Sequence, residues 1–188
     1  EEARIDSIVE AILQSERTVL TGVGTSYFVA LMGQYMISEL ADEFTPAMSS
    51  DELPHMVPLR DSDHVLAISQ SGETYDTLRA LRLSRARGAN LSAILNVESS
   101  SMAREVDQYL NQGAGPEICV LSTKSTISQL TLMLRVAVRL GERKGVLSGQ
   151  ALDDIKSDMA ALPARLDSIA SGDQGLIRDL ARRHSVMR

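Results

Sequence analysis

The sequence is short of cysteine and of positive charge, and it has no long apolar run. Cys119 is the single cysteine in 188 residues, which excludes an internal disulfide and favours a reducing, cytoplasmic setting. Lys and Arg number 19 against 25 Asp and Glu, and the resulting formal charge of −6 argues against a general nucleic-acid-binding surface. No apolar run approaches the ~20 residues of a membrane-spanning helix, and no stretch has the features of a signal peptide. We therefore expect a cytoplasmic protein with no nucleic-acid and no membrane partner, in which local hydrogen-bond donors would have to hold any anionic ligand.

Apart from these absences, the composition is that of an ordinary globular protein, with 44% apolar and 23% charged residues. Short apolar runs, typical of strands buried on both faces, alternate with segments of helical periodicity. The strand candidates are residues 18–21, 44–48, 64–68 and 91–97, with one or two short strands within 107–121, and the helix candidates are 3–15, 26–41, 74–87, 126–143 and 151–169. The alternation predicts parallel βαβ units, and hence a three-layer α/β/α sandwich with a mainly parallel, doubly wound sheet.

The pattern also predicts how the chain is divided. We assign residues 1–148 to one doubly wound domain and residues 149–188 to a C-terminal helical segment. The sequence opens at Glu1 without an initiator Met, directly into an amphipathic helix, and its last residues could begin another strand. Neither end resembles a natural terminus, so we expect an excised fragment or a cleaved domain.

Three hydroxyl-rich segments stand where a strand candidate gives way to a helix candidate. They are residues 22–26 (GVGTS), 69–74 (SQSGET) and 122–126 (STKST). A helix start exposes unpaired backbone N–H groups and partial positive charge, glycine allows close approach, and hydroxyls add neutral donors, which together make a phosphate cradle. In an open parallel sheet such junctions share the carboxyl edge, so they could converge on one anion. The alternative is plain helix capping, although residues 69–74 hold more hydroxyls than one cap needs.

At these segments the sequence resembles the SIS (sugar isomerase) family, most closely the isomerase region of glutamine:fructose-6-phosphate aminotransferases. The matching segments are residues 24–27 (GTSY), 69–78 (SQSGETYDTL), 96–97 (NV), 99–105 (SSSMARE) and 115–124 (GPEICVLSTK). Two positions depart from the family pattern: Val23 replaces the usual Cys before Gly-Thr-Ser, and Cys119 replaces the usual Gly after Glu-Ile. Neither departure removes a hydrogen-bond donor.

The resemblance implies a site and a reaction. The residues it assigns to the phosphate of fructose 6-phosphate are Thr25, Ser26, Ser69, Gln70, Ser71 and Thr74, and those it assigns to the sugar side of the pocket are Val120 and Ser122. The implied enzyme is a homodimeric aminotransferase that makes glucosamine 6-phosphate for amino-sugar and UDP-N-acetylglucosamine synthesis, with no metal and no cofactor.

The same resemblance implies that catalysis needs more than this chain. The general base, the lysines and the ring-opening histidine of such synthases lie in or after a second SIS domain, and the nitrogen comes from an N-terminal glutaminase domain. We therefore expect the chain to bind the substrate phosphate with no catalytic residue of its own. Two other interpretations of the sequence remain: the chain could be a sugar-phosphate-sensing SIS module of a regulator, or a stand-alone isomerase, which would need its own base.

Several residues outside this set are expected to have ordinary structural or surface roles. Glu73 would lie in a first helical turn, where the helix dipole favours a carboxylate. Lys124 is expected to be solvated or structural. Cys119, among apolar residues, is expected to be a buried small hydrophobe. The three histidines have no metal-ligand spacing.

Overall fold

The computed structural model describes residues 1–119, 122–172 and 174–185. The chain forms two compact units, Glu1–Leu147 and Ser148–Arg188. No helix in the described part of the chain is both long and apolar enough to cross a membrane.

The first unit alternates strands and helices. Its strands are β1 Arg17–Gly22, β2 Ala47–Ser49, β3 Asp63–Ile68, β4 Asn90–Leu95 and β5 Gln108–Asn111. Its helices are α1 Glu2–Gln14, α2 Thr25–Ala41, α3 Leu53–Met56, α4 Tyr75–Ala86, α5 Ser101–Glu105 and α6 Lys124–Arg143. The second unit holds α7 Gly149–Gly172, which contains Pro163, and α8 Gln174–His184.

The five strands form one sheet in the order β2-β1-β3-β4-β5, and every neighbouring pair is parallel. The chain passes from β1 to β2 on one side and then to β3 on the other. Strand order therefore reverses between β1 and β3, and the crevice beyond the carboxyl ends of two such strands is where doubly wound sheets bind ligands.

Two apolar cores cover the two faces of this sheet. Side chains of α1, α2 and α6 pack on one face against Leu20, Leu66 and Ile94, and α3, α4 and α5 cover the alternate residues of the same strands. All six residues of β3 are buried, as a central strand covered on both faces requires. The predicted three-layer sandwich with a parallel, doubly wound sheet is confirmed.

Local differences from the predicted elements have simple causes. The strand predicted at residues 44–48 begins at Ala47, because Pro46 has no N–H to donate; its carbonyl instead accepts from Leu20 N at 2.9 Å. The strand predicted to reach residue 97 ends at Leu95. The short helix α5 was not predicted, since five residues carry no periodicity.

Candidate functional site

Two of the three hydroxyl-rich segments leave the sheet at the point where strand order reverses. Thr21 of β1 is the register partner of Ala67 of β3, so these two strands end side by side. The first phosphate-loop candidate, residues 22–26, connects β1 to α2, and the second, residues 69–74, connects β3 to α4. We call these two segments the first loop and the second loop. Each leads directly into the start of a helix.

The first loop is shaped by two glycines. A Cβ on Gly22 would lie 2.8 Å from the carbonyl carbon of Ser26, so only glycine lets the loop fold tightly onto the start of α2. Gly24 has a φ of 58°, and a Cβ there would meet nothing within 4 Å. Gly24 is also the N-cap of α2, and it has no side chain with which to accept from the first-turn N–H groups.

The second loop folds around its own hydroxyls. Ser69 is 2% exposed, and its Oγ accepts from Gly72 N at 3.0 Å and lies 3.4 Å from Thr74 Oγ1. The Ser71 Oγ accepts from Glu73 N at 3.1 Å. Thr74 is the N-cap of α4, yet its side chain makes no capping hydrogen bond. Capping therefore does not account for the Thr74 hydroxyl.

The carboxyl ends of β4 and β5 hold the second loop in place. Ser69 N donates to Ile94 O at 3.0 Å, and Asn96 N donates to Gln70 O at 3.1 Å. Behind the loop, the buried Gln112 donates through Nε2 to Ser69 O at 2.9 Å. The backbone of the loop is therefore supported by two neighbouring strand ends.

A buried cluster of hydroxyls joins the two loops, and its members were not predicted. Ser50 N donates to Gly22 O at 3.0 Å, and Ser50 Oγ lies 3.0 Å from Thr21 Oγ1. Thr77 of α4 donates to the same Ser50 Oγ at 3.1 Å. Ser50 is 1% exposed and the two threonines 0%. Thr77 lies in segment 69–78, which carries the family resemblance, but no role was assigned to it. The other available signal was a hydroxyl at the end of a strand candidate and in the first turn of a helix candidate.

The third hydroxyl-rich segment differs, because a carboxylate already occupies the helix start. Glu117 Oε2 accepts from Thr123 N at 3.2 Å, from Ser125 N at 3.2 Å and from Ser125 Oγ at 3.1 Å. The backbone hydrogen bond from Ser125 is the main reason that the pKa of Glu117 lies below its usual value. Ser122, at φ 60°, is hydrogen-bonded through its hydroxyl to Ser125. The start of α6 is therefore paired with an internal anion.

An open cleft of about 660 Å³ lies beside the second loop, beyond the ends of β4 and β5. Its lining residues are Gln70, Asn96, Val97, Glu98, Ser99, Asn111, Gly115, Pro116 and Glu117. The structure thus brings the predicted phosphate ligand Gln70 to the same cleft as Glu117. Asn96 holds the cleft wall, because its side chain donates to Gly115 O at 2.7 Å and accepts from Ala114 N at 3.0 Å.

Other predicted roles can now be placed. Val120 lies outside the described residues. Cys119 was expected to be buried, but it is exposed, because residues 113–119 form a surface loop rather than a strand. Glu73 accepts from Ser101 N at 2.6 Å, and this hydrogen bond is the main reason that its pKa is lowered. Within the described ranges, no group of three or more His, Cys, Asp or Glu side chains is placed to hold a metal ion.

Comparison with known proteins identifies the family of this fold. The family model described as the SIS domain matches residues 11–139. The chain belongs to the SIS domain family. The match spans the whole sheet together with the first loop, the second loop and most of α6.

The curated relatives of this SIS domain include glutamine–fructose-6-phosphate aminotransferases. The chain is 34% identical over 176 residues to the isomerizing enzyme of that name from Clostridium tetani, with 93% of this chain and 29% of the relative covered. It is 38% identical over 156 residues to the enzyme from Zymomonas mobilis, with 82% and 26% covered. The SIS domain thus spans less than a third of the length of these relatives, and the resemblance drawn from its motifs is confirmed.

A solved structure supports both the fold and the relationship. The C-terminal domain of the glucosamine-fructose-6-phosphate aminotransferase from Francisella tularensis superimposes with a TM-score of 0.76 at 29% identity. The superposition covers 84% of this chain and 44% of that one.

Proposed function

We propose that this SIS domain binds the phosphate group of fructose 6-phosphate at the crevice between the ends of β1 and β3. The proposed phosphate ligands are Thr25, Ser26, Ser69, Gln70, Ser71 and Thr74. Ser122, together with Val120, is proposed to face the sugar. The proposal rests on the two loops leaving neighbouring strands at the reversal of strand order, each leading into a helix start.

The chemistry of the two loops suits a dianion. A sugar phosphate carries close to two negative charges at neutral pH, and each helix start favours a nearby negative charge by about 0.3–1 kcal/mol. A hydrogen bond to a charged group contributes about 1.5–3 kcal/mol. Neutral donors of this kind allow a protein with a formal charge of −6 to bind an anion without a basic cluster.

The relatives supply the larger context of the proposal. We propose that the parent protein is a glutamine–fructose-6-phosphate aminotransferase that makes glucosamine 6-phosphate for amino-sugar synthesis, as a cytoplasmic homodimer. In that protein the helical segment 149–188 would lead to a second SIS domain, and a glutaminase domain would supply the nitrogen. The chain matches only 29% and 26% of two such relatives, which leaves room for those domains.

Two carboxylates of this chain, Glu73 in the second loop and Glu117 at the cleft, are poorly suited to act as a base. Glu73 is bonded to the start of α5 and Glu117 to the start of α6, and both have lowered pKa values. A general base that moves a proton between sugar carbons works best with a pKa near the working pH. We therefore propose that the chain binds the sugar phosphate without isomerising it.

The binding proposal is tested by ligand-dependent melting. Fructose 6-phosphate at a hundredfold excess over its Kd should add about 2.7 kcal/mol, or roughly 5 °C or more, to the wild-type chain. The double variant Ser71→Ala/Thr74→Ala should lose this rise. Thr131→Ala, which removes an exposed hydroxyl from α6, is the matched control and should keep it. An equal rise in the double variant would refute the assigned ligands.

The absence of catalysis is tested separately. Fructose 6-phosphate incubated with the chain should remain unconverted to glucose 6-phosphate in a coupled dehydrogenase assay. Measurable turnover that disappears in Glu73→Gln or Glu117→Gln would show that one of these carboxylates acts as a base after all.

A further inference from the structure

A fully buried glutamine lies behind the first loop. Gln129 of α6 is 0% exposed, and its Nε2 is 3.4 Å from the Oγ of Ser26 in the first turn of α2. Among the described residues, no donor reaches its Oε1. Within the described part of the chain the amide therefore has one polar contact, and that contact is with a proposed phosphate ligand.

The position of Gln129 is one where an apolar side chain would serve packing better. It lies on the buried stripe of α6 that continues through Leu132, Met133 and Val136 at helical spacing. A buried carbonyl oxygen without a donor lowers stability, whereas an apolar side chain of the same size would not. Packing alone therefore does not explain a glutamine here.

The direction of the hydrogen bond suggests what the amide does. A hydroxyl group has a single proton and can accept from a second donor at the same time. When the Nε2–H group donates to Ser26 Oγ from the buried side, the Ser26 proton is turned away from α6. The hydroxyl is then set as a donor toward the open side of the first loop, where the proposal places the anion.

The second loop has a parallel arrangement. Gln112 is 7% exposed, donates through Nε2 to Ser69 O and has no donor for its own Oε1 among the described residues. Three buried side-chain atoms of the described chain lack a partner, and two of them belong to Gln112 and Gln129. The third is the hydroxyl of Thr45, just before the amino end of β2 and hence at the opposite edge of the sheet.

We propose that Gln129 is a positioning residue: its buried amide orients the Ser26 hydroxyl as a hydrogen-bond donor to the phosphate of the bound sugar. This inference rests on the proposed function. It makes a specific claim, that removing the amide weakens ligand binding without weakening the fold.

The test is a double-mutant cycle measured by isothermal titration calorimetry at pH 7.5, with fructose 6-phosphate as the ligand. The four proteins are the wild-type chain, Ser26→Ala, Gln129→Met and the double variant. Gln129→Met should weaken binding by about three- to tenfold, which corresponds to one oriented hydrogen bond. The double variant should bind no more weakly than Ser26→Ala alone, because the amide acts through that hydroxyl.

Melting temperature separates positioning from structural support. Gln129→Met should melt at the wild-type temperature or slightly above it. The matched control is Thr45→Val, which also removes an unpartnered buried polar atom and should leave the affinity unchanged. If Gln129→Met does not fold, Gln129→Leu serves as the second variant.

The possible outcomes distinguish the two proposals. No binding by the wild-type chain overturns the proposed function, and this inference with it. Wild-type binding that Ser26→Ala weakens and Gln129→Met leaves unchanged overturns only the role of Gln129. Additive losses in the double variant, or a loss of affinity that accompanies a lower melting temperature, also overturn it in favour of general structural damage.

Discussion

The two edges of the sheet use the same kinds of side chain for different purposes. At the amino edge, the ring of His64 lies between Thr18 Oγ1, at 3.3 Å from Nδ1, and Ser92 Oγ, at 2.8 Å from Nε2. Gln108 donates to Ser92 Oγ at 3.2 Å, so the polar atoms of this cluster bond to one another. At the carboxyl edge the Thr74 hydroxyl is not needed as a cap, and Gly24 leaves open space.

This difference teaches that hydroxyl content alone does not define a binding site. The amino-edge cluster is buried, with Thr18 4% exposed and both His64 and Ser92 0% exposed. Its polar groups are hydrogen-bonded to one another and are therefore not available to a ligand. The loops at the carboxyl edge lie at helix starts, where backbone N–H groups have no partner within the helix. Changes at the amino edge should therefore affect stability, and changes at the carboxyl edge should affect binding.

The largest effect is expected for Gly72→Ala in the second loop. Its φ is 67°, and an added Cβ would collide with the Ser100 hydroxyl, so we expect a loss of about 3 kcal/mol in stability together with the loss of fructose 6-phosphate binding. Urea unfolding and calorimetry measure the two effects. The control is Gly145→Ala, at φ 73° with nothing within 4 Å, which should lose only about 1 kcal/mol and keep its binding. Equal losses in both variants would contradict the close approach of the second loop to Ser100.

A pH dependence of similar size should arise at the amino edge. Burial lowers the pKa of His64 to about 4 from 6.5, and Asp107 opposes this only in part. The folded chain therefore keeps His64 neutral while the unfolded chain takes up a proton below pH 6.5. Stability is present above pH 6.5 and is lost as the pH falls toward 4, by about 3 kcal/mol in total. Urea unfolding at several pH values should show this slope, and His64→Gln should lack it; a variant with the wild-type slope would contradict the assignment.

A smaller effect, which separates binding from stability, is expected when the same substitution is made at two threonines. Thr74→Val should weaken fructose 6-phosphate binding about tenfold and leave stability within about 0.5 kcal/mol, because the hydroxyl makes no capping hydrogen bond and only a long contact, 3.4 Å, with Ser69 Oγ. Thr18→Val should cost about 1 kcal/mol of stability, because it removes a partner of the buried His64, and should not change binding. The comparison between the two edges fails if both variants change the same quantity.

The smallest effect is expected for Glu117→Gln at the start of α6. The carboxylate accepts from backbone N–H groups and its pKa is lowered, so its contribution is present above pH 4.5 and is lost in more acidic solution. The neutral amide should lower the melting temperature at pH 7 by about 2 °C, and by less near pH 3. A variant that binds inorganic phosphate more tightly than the wild-type chain would indicate that the carboxylate competes with an anion for this helix start.

The sequence predicted the architecture well, because buried strands and amphipathic helices leave strong periodic signals. The fully buried run of β3 and the apolar stripe of α6 can both be recognised in the sequence alone. The second loop could also be recognised in the sequence as a candidate phosphate-binding segment, since Ser69, Ser71 and Thr74 form a dense motif. The proposed roles of these side chains remain predictions until binding is measured.

The remaining features could not be predicted from the sequence, because they depend on residues far apart in the chain. Ser50 and Thr77 meet only after β2 has paired with β1 and α4 has packed on the sheet. Glu117 bonds to the start of α6 across a loop in which nothing in the local sequence marks a cap. Cys119 was placed in the core because its neighbours are apolar, yet the loop carries it to the surface.

The sequence by itself determined the order of strands and helices and the places where glycines and hydroxyls stand together, since these follow from local periodicity and local backbone freedom. Only the tertiary structure decided which helix start is paired with a carboxylate and which buried amide contacts Ser26. The reason is that hydrogen bonding in a folded chain is a competition between partners brought together in space, and the winner depends on distances that no single segment contains.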